Sequence, residues 1–207
     1  MDNVSFKDKT VTEFLDAVRA PEPTPGGGSA AALAGALGAS LFAMVAGLPK
    51  SKAVTAEDTA RLAAAGTRCA ALADELTALV DRDSEAYAQV MAAFRRPKNT
   101  DDEKAARSAA IQEAMRGATA TPLEVMRACA AAAEQGVVVA RMGNPSASSD
   151  AAVGFELVGA GLRGAKLNVE INLGSIKDPE YVKRVQAEIE ELERAIGHET
   201  AASKRAS

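Results

Sequence analysis

The 207-residue sequence predicts an all-α protein, a single-domain helical bundle with a long central helix and buried small-residue helices. Composition is the first reason. Alanine dominates, aromatics make up only 3% and tryptophan is absent, which suits helices whose small side chains let backbones approach. β-branched and aromatic residues are too sparse for a sheet protein. Recurring helix-start signals are the second reason. Thr10 with Glu13, Thr100 with Glu103 and Thr121 with Glu124 have the spacing of a capping box, the last with Pro122 at the favoured first helical position. Asp178 before Pro179 is another start.

These cues give helices near 10–20, 29–47, 56–95, 101–118, 122–142, 149–172 and 179–197, with no internal repeat or linker to divide residues 1–207. In the longest, Leu62, Cys69, Leu72, Leu76, Val80, Tyr87, Val90 and Phe94 recur down one face, and Pro97 ends it. The 179–197 segment sets Val182, Val185, Ile189, Leu192 and Ile196 against a charged opposite face, as a peripheral helix does. The tail from about 199 to 207 is expected to be disordered. The run from Gly26 to Leu48 carries no charge and is long enough to test as a membrane span. Its alanines, glycines and serines insert weakly and no anchors flank its start, so a helix buried all round, in the bundle or at a subunit interface, explains it better.

Composition also excludes several functions. A net charge of -4, with no arginine-rich face interleaved with aromatics, argues against nucleic acid. Cys69 and Cys129 lack metal-ligand spacing and read as buried free thiols. His198 is the only histidine, so no metal site is expected. Asp2, Asp8, Glu13 and Asp16 make the start unlike a signal peptide, and a cytoplasmic protein is expected.

Chemistry concentrates in two loops and one helix. In PGGGS, Gly26, Gly27 and Gly28 free the backbone for positive φ or close approach, and Ser29 is placed to cap a helix. Such a loop can receive an anion or a polar ligand edge, although taken alone a turn plus a cap is the simpler account. It lacks the lysine and the preceding strand of a nucleotide loop. Asp83 falls between Val80 and Tyr87 on the apolar stripe, while Asp81 points elsewhere. A carboxylate there needs an arginine or a neighbouring helix N-terminus; if it lines a cleft, desolvation suits it to general acid-base work.

The second loop, GNPSASSD, offers Asn144, Ser146, Ser148, Ser149 and Asp150; Asn144 fits a turn and Asp150 a helix start, yet the set could also read a heterocycle's edge. Asn168 shares a helical face with Asp150 but lies about 27 Å along it, so the two could meet only across a two-fold interface. Asn168 and Asn172 read as helix-helix hydrogen bonders, or as finishing the helix before Gly174. Lys50, Lys52 and Lys98 follow helix ends, complementing the dipole or attracting an anionic tail.

Together, VTEFLDAVRAPEPTPGGGSAAALAGALGASLFAMVAGL, DRDSEAYAQVMAAFRRPK, TPLEV and GNPSASSDAAVGFELVGAGLRGAKLNVEINLGSIKD closely resemble the cyclodeaminase/cyclohydrolase family, over about residues 10–178. The resemblance implies an all-helical homodimer that takes a tetrahydrofolate derivative as its small-molecule substrate and needs no cofactor. It implies hydrolysis of 5,10-methenyltetrahydrofolate to 10-formyltetrahydrofolate, or, alternatively, cyclisation of 5-formiminotetrahydrofolate with release of ammonia. A folate-binding or scaffold bundle without catalysis is the remote alternative. Carried onto this chain, Asp83 would be general base or cation stabiliser and Asp150 the pterin anchor or second carboxylate. Gly26, Gly27, Gly28 and Ser29 would shape the pocket, Asn144 and Ser148 would hydrogen-bond the ligand, and Lys98 would meet the glutamate tail. No accompanying formiminotransferase domain is expected, which favours the cyclohydrolase, although the family's cyclodeaminase also occurs in free-standing form.

Overall fold

Thr10, Thr55 and Thr100 each accept a hydrogen bond from the main-chain N–H three residues on, and each opens a helix. The computed structural model describes residues 5–49 and 55–204, with α6 side chains to Gly197. Its elements in order are α1 (Val11–Arg19), α2 (Gly27–Gly47), α3 (Ala56–Phe94), α4 (Asp101–Met142), a 3-10 turn (Pro145–Ala147), α5 (Ser148–Leu173) and α6 (Pro179–Lys204). Helix accounts for 85% of it and no strand occurs among the described residues, so the all-α expectation holds.

α2 runs antiparallel to α3 and α5 and parallel to α4. Its small residues set the spacing. A Cβ on Gly38 would lie 2.7 Å from the Gly154 carbonyl oxygen of α5, and one on Gly35 2.6 Å from Cys129 Sγ of α4. Phe42 fills the notch left by Gly136 and Gly154, and its ring packs edge-on against Phe155 at 4.8 Å. Burial of Phe42 contributes about 3 kcal/mol, more than any alanine beside it can. One apolar core runs from Phe14 of α1 to Ile196 of α6.

The expected break between 101–118 and 122–142 is absent: α4 passes through Pro122. The supposed start residues are engaged elsewhere, Glu124 with Arg82 of α3 at 2.6 Å and the Thr121 hydroxyl with the Gly117 carbonyl at 3.4 Å. Pro122 has no N–H for the Ala118 carbonyl four residues back. Asn172 of α5 supplies the missing donor, its Nδ2 lying 2.8 Å from that oxygen. Asn172 is therefore a helix-helix hydrogen bonder, as expected. Removing it in Asn172→Ala should cost about 1–2 kcal/mol, because a half-buried carbonyl is left unpaired. In a Pro122→Ala background the restored N–H takes that carbonyl, so urea unfolding should show the cost fall to a few tenths; an unchanged cost in both backgrounds contradicts this account.

Three further expectations change. α2 is long and apolar enough to cross a membrane by length and composition, but within the protomer it is not buried all round: Leu37 and Met44 are exposed. Its inner faces meet α3, α4 and α5, while Leu37 and Met44 on the outer one stay uncovered by the described residues. Tyr87 and Phe94 continue the α3 stripe but are exposed, because α3 outruns α2. α6 extends to Lys204 rather than ending at 197, since its alanines and lysine favour helix and no proline follows Gly197; residues 205–207 lie outside the described residues.

Candidate functional site at the start of helix α2

The first N–H groups of a helix have no partner within it, and the residue capping α2 is Gly26, which has no side chain to offer. Ser29 is not the cap, as the sequence suggested, but the third helical residue. The cap comes from another helix. Asp83 of α3 accepts a hydrogen bond from the Ser29 N–H at 3.1 Å on Oδ2, and the Ser29 hydroxyl lies 3.4 Å from the same oxygen while donating to the Val80 carbonyl at 2.8 Å. No described residue, glycine or otherwise, has a positive φ, so the glycines serve close approach alone. A Cβ on Gly28 would overlap the Asp83 carboxylate, 2.6 Å from Oδ2.

Asp83 thus has the helix N-terminus that a carboxylate on an apolar stripe requires, and no Lys or Arg among the described residues pairs with it. Burial pushes its carboxyl above the usual carboxylate range; the Ser29 hydrogen bonds pull the other way and only partly offset this. The group is a half-buried base with a raised proton affinity. The Ser84 hydroxyl lies 3.5 Å from that of Ser29, and Asn168 Nδ2 of α5 comes within 3.7 Å of where a Gly27 Cβ would stand. Sequence reasoning had Asn168 as a helix-helix hydrogen bonder; it instead donates to the Gly164 carbonyl of its own helix at 2.9 Å. Its position against Gly27 follows from the antiparallel register of α2 and α5, which no local motif announces. Asp81 does point elsewhere, accepting hydrogen bonds from the Phe6 and Lys7 N–H groups and the Ser5 hydroxyl.

The second loop lies at the far end of α2. Asn144 Nδ2 donates to the Pro49 carbonyl at 2.7 Å and its Oδ1 accepts from the Ser146 N–H at 2.9 Å, the turn the sequence allowed. Ser148, whose N–H donates to the Pro145 carbonyl, and Asp150 open α5 with side chains that make no hydrogen bond or ion pair among the described residues. Gly154, one turn on, packs on Gly38 and Phe42, so Asp150 stands near the level of Val45, about 25 Å along α2 from Gly28. Within one protomer, therefore, Asp83, Gly26, Gly27, Gly28 and Ser29 come together, whereas Asn144, Ser148 and Asp150 do not join them. Lys98 is exposed in the α3–α4 loop, beyond the stretch of α3 from Asp83 to Phe94, about 16 Å of helix. Lys50 and Lys52 lie outside the described residues, as does the His198 side chain.

Two larger grooves lie elsewhere. That between α5 and α6, about 580 Å³, is lined by Lys166 already paired with Glu193, and that between α3 and α4, about 490 Å³, by Arg82 paired with Glu124. Neither holds a residue expected to carry chemistry. Burial pushes the Cys69 and Cys129 thiols up to about 12, so neither is a ready nucleophile. Among the described residues no three His, Cys, Asp or Glu side chains converge to hold a metal ion.

The family model described as formiminotransferase-cyclodeaminase matches residues 10–191, which takes in the α2 N-terminus, Asp83 and the second loop. The chain belongs to this family. As a formiminotransferase-cyclodeaminase family member it is 41% identical over 185 residues to the methenyltetrahydrofolate cyclohydrolase of Methylorubrum extorquens, covering 89% of each chain. It is 32% identical over 188 residues to the formimidoyltransferase-cyclodeaminase of Rattus norvegicus, covering 91% of this chain but only 35% of that longer relative. The crystal structure of formiminotetrahydrofolate cyclodeaminase from Thermotoga maritima superposes with a TM-score of 0.85 at 28% identity, over 97% of this chain and 96% of that one.

Proposed function

We propose that this chain hydrolyses 5,10-methenyltetrahydrofolate to 10-formyltetrahydrofolate, with Asp83 as general base. The observation that carries the proposal is a carboxylate of raised proton affinity fixed at a helix N-terminus behind a glycine that admits it. The name and near-full-length match of the Methylorubrum extorquens relative favour this reaction over the cyclodeaminase one. The methenyl carbon is already cationic, so it needs a positioned water and a proton acceptor rather than a further electrophile. Water adds to that carbon and passes a proton to Asp83. As the carbonyl forms, the bond to N5 breaks, N5 takes a proton back and the hydroxyl proton leaves to solvent, so one proton is released overall.

Gly26, Gly27, Gly28 and Ser29 form the floor under the ring being opened, and Lys98 receives the glutamate tail at the end of the α3 overhang. Asn144, Ser148 and Asp150, about 25 Å away along α2 within one chain, serve the pterin only if a second copy brings them across a two-fold interface. Carboxylate chemistry of this kind uses neither a metal nor a redox cofactor, and the acidic sequence with reduced thiols suits a cytoplasmic enzyme that binds neither nucleic acid nor membrane. The uncharged outer face of α2 supports a homodimer. The test is spectrophotometric: loss of methenyltetrahydrofolate absorbance in the presence of the protein, and in parallel its appearance from 5-formiminotetrahydrofolate. Rapid loss and no appearance is the expected result; the reverse pattern assigns the cyclodeaminase reaction instead.

A further inference from the structure

The turn of α3 that bears Asp83 bears a second carboxylate, which the proposed chemistry leaves unused. Asp81 Oδ1 accepts the Phe6 N–H at 2.6 Å and the Lys7 N–H at 3.1 Å, and its Oδ2 lies 2.9 Å from the Ser5 hydroxyl, which it shares with Asp8. An ionised acceptor makes these the stronger kind of hydrogen bond. One residue back the Val80 carbonyl takes the Ser29 hydroxyl, and two residues on Asp83 takes the Ser29 N–H. A single turn of α3 thus grips the chain twice, at Ser5–Lys7 and again where α2 begins. What lies between the grips is lightly held. From Lys7 to Gly26 only Phe14 and Pro25 are buried, and Val11 and Leu15 of α1 are 78% and 46% exposed. The space beneath is unfilled as well: a cavity of about 120 Å³ has Phe6 and Phe14 on one side and Leu33, Thr77 and Val80 on the other. Apolar packing with such a gap cannot by itself fix the segment. Its far end stands over the site, for the Pro23 carbonyl oxygen is 3.5 Å from where a Gly26 Cβ would lie, so the α1–α2 loop folds back on the first of the floor glycines.

We propose that Asp81 is a positioning residue: by pinning Ser5–Lys7 to α3 it holds α1 and the α1–α2 loop as a preformed wall beside the glycine floor, and so sets substrate affinity without touching the reacting carbon. This role rests on the reading of the α2 N-terminus as the folate site. Asp83 does not depend on the pin, since its partner Ser29 is fully buried and is fixed separately by the Val80 carbonyl. Loss of Asp81 therefore frees the wall and leaves the base. A wall that substrate must order on arrival weakens binding, whereas turnover of bound substrate is kept.

Kinetics separate this role from a structural one. Asp81→Ala should raise KM for methenyltetrahydrofolate about tenfold and leave kcat within about twofold of wild type. Asp81→Asn keeps an oxygen for the Phe6 and Lys7 N–H groups, so its KM should stay within about threefold of wild type. Phe6→Ala loosens the same segment from its apolar side, and its effect on KM should be smaller in the Asp81→Ala background than alone. A lower kcat at unchanged KM reports only a loss of folded enzyme and overturns the proposal, as do effects of the two substitutions that simply multiply. Hydrogen exchange reads the pin without turnover: the amides of residues 6–14 should exchange about tenfold faster in Asp81→Ala than in wild type. Unchanged exchange overturns the pin whatever the reaction. A wild-type protein that opens no methenyl ring and closes no formimino compound overturns instead the reaction assigned above, and exchange still decides whether Asp81 holds the segment.

Discussion

Asp83→Asn is expected to lower turnover of methenyltetrahydrofolate by about 10²- to 10⁴-fold, the usual contribution of a positioned acid-base group, while the protein still folds and binds folate. The isosteric amide keeps an oxygen able to accept the Ser29 N–H, so α2 retains its cap. Stability should move in the opposite sense to activity. Burial gives the folded protein a higher Asp83 pKa than the unfolded chain. This group's contribution to stability is therefore fully present below the unfolded carboxylate range, and is lost as pH rises through the folded value. At neutral pH the ionised group costs stability, and the amide should leave Tm equal to or above wild type. Wild-type kcat should fall as the solution is acidified through that raised pKa, because the base is then protonated. An Asp83→Asn protein with full turnover and normal folate binding removes Asp83 from the mechanism.

Gly28→Ala should cost nearly as much activity for a different reason. The added methyl occupies the space of the Asp83 carboxylate, which must swing away from the α2 N-terminus or push α3 outward. Helix propensity alone makes the change favourable by up to about 1 kcal/mol, so any drop in stability measures the collision. The expected result is a loss of at least 100-fold in kcat together with a lower urea midpoint. Gly27→Ala is the control: its Cβ would meet only Asn168 Nδ2 at 3.7 Å, an ordinary contact, and most activity should survive. Equal effects at the two glycines contradict the close-approach account.

Much of this was legible in the chain. Capping boxes at Thr10 and Thr100 mark real starts because their reciprocal hydrogen bonds are local. Asp83 could be singled out because a carboxylate on an apolar stripe needs an explanation wherever the stripe packs. The misreadings share one cause, which is that the deciding partner is remote in sequence. Thr121, Pro122 and Glu124 carry every local sign of a helix start, yet Asn172, fifty residues on, offers the donor that lets α4 continue. Ser29 resembles a cap, but Asp83 takes that place from α3. Asn144 and Asp150 have the right chemistry for a site, and only the register of α2 on α5 shows that they stand at the other end. Burial of α2 in the bundle or at a subunit interface was the expectation, and the exposed Leu37 shows that the bundle alone does not cover it; a covered face looks the same in sequence whether its cover is the same chain or another.

The overrun of α3 and α4 past the start of α2 divides the molecule by tolerance. Below Gly28 the inner faces of α2, α3, α4 and α5 interlock, and Gly35, Gly38, Gly136 and Gly154 leave no room there for a side chain. Above Asp83, two helices and the loop bearing Lys98 stand largely free. Substitutions in that upper region can alter which tail length or charge is preferred without disturbing the packing that fixes the carboxylate. Related chains would then diverge in substrate preference along the free arm, while the floor beneath the reacting carbon stays as it is.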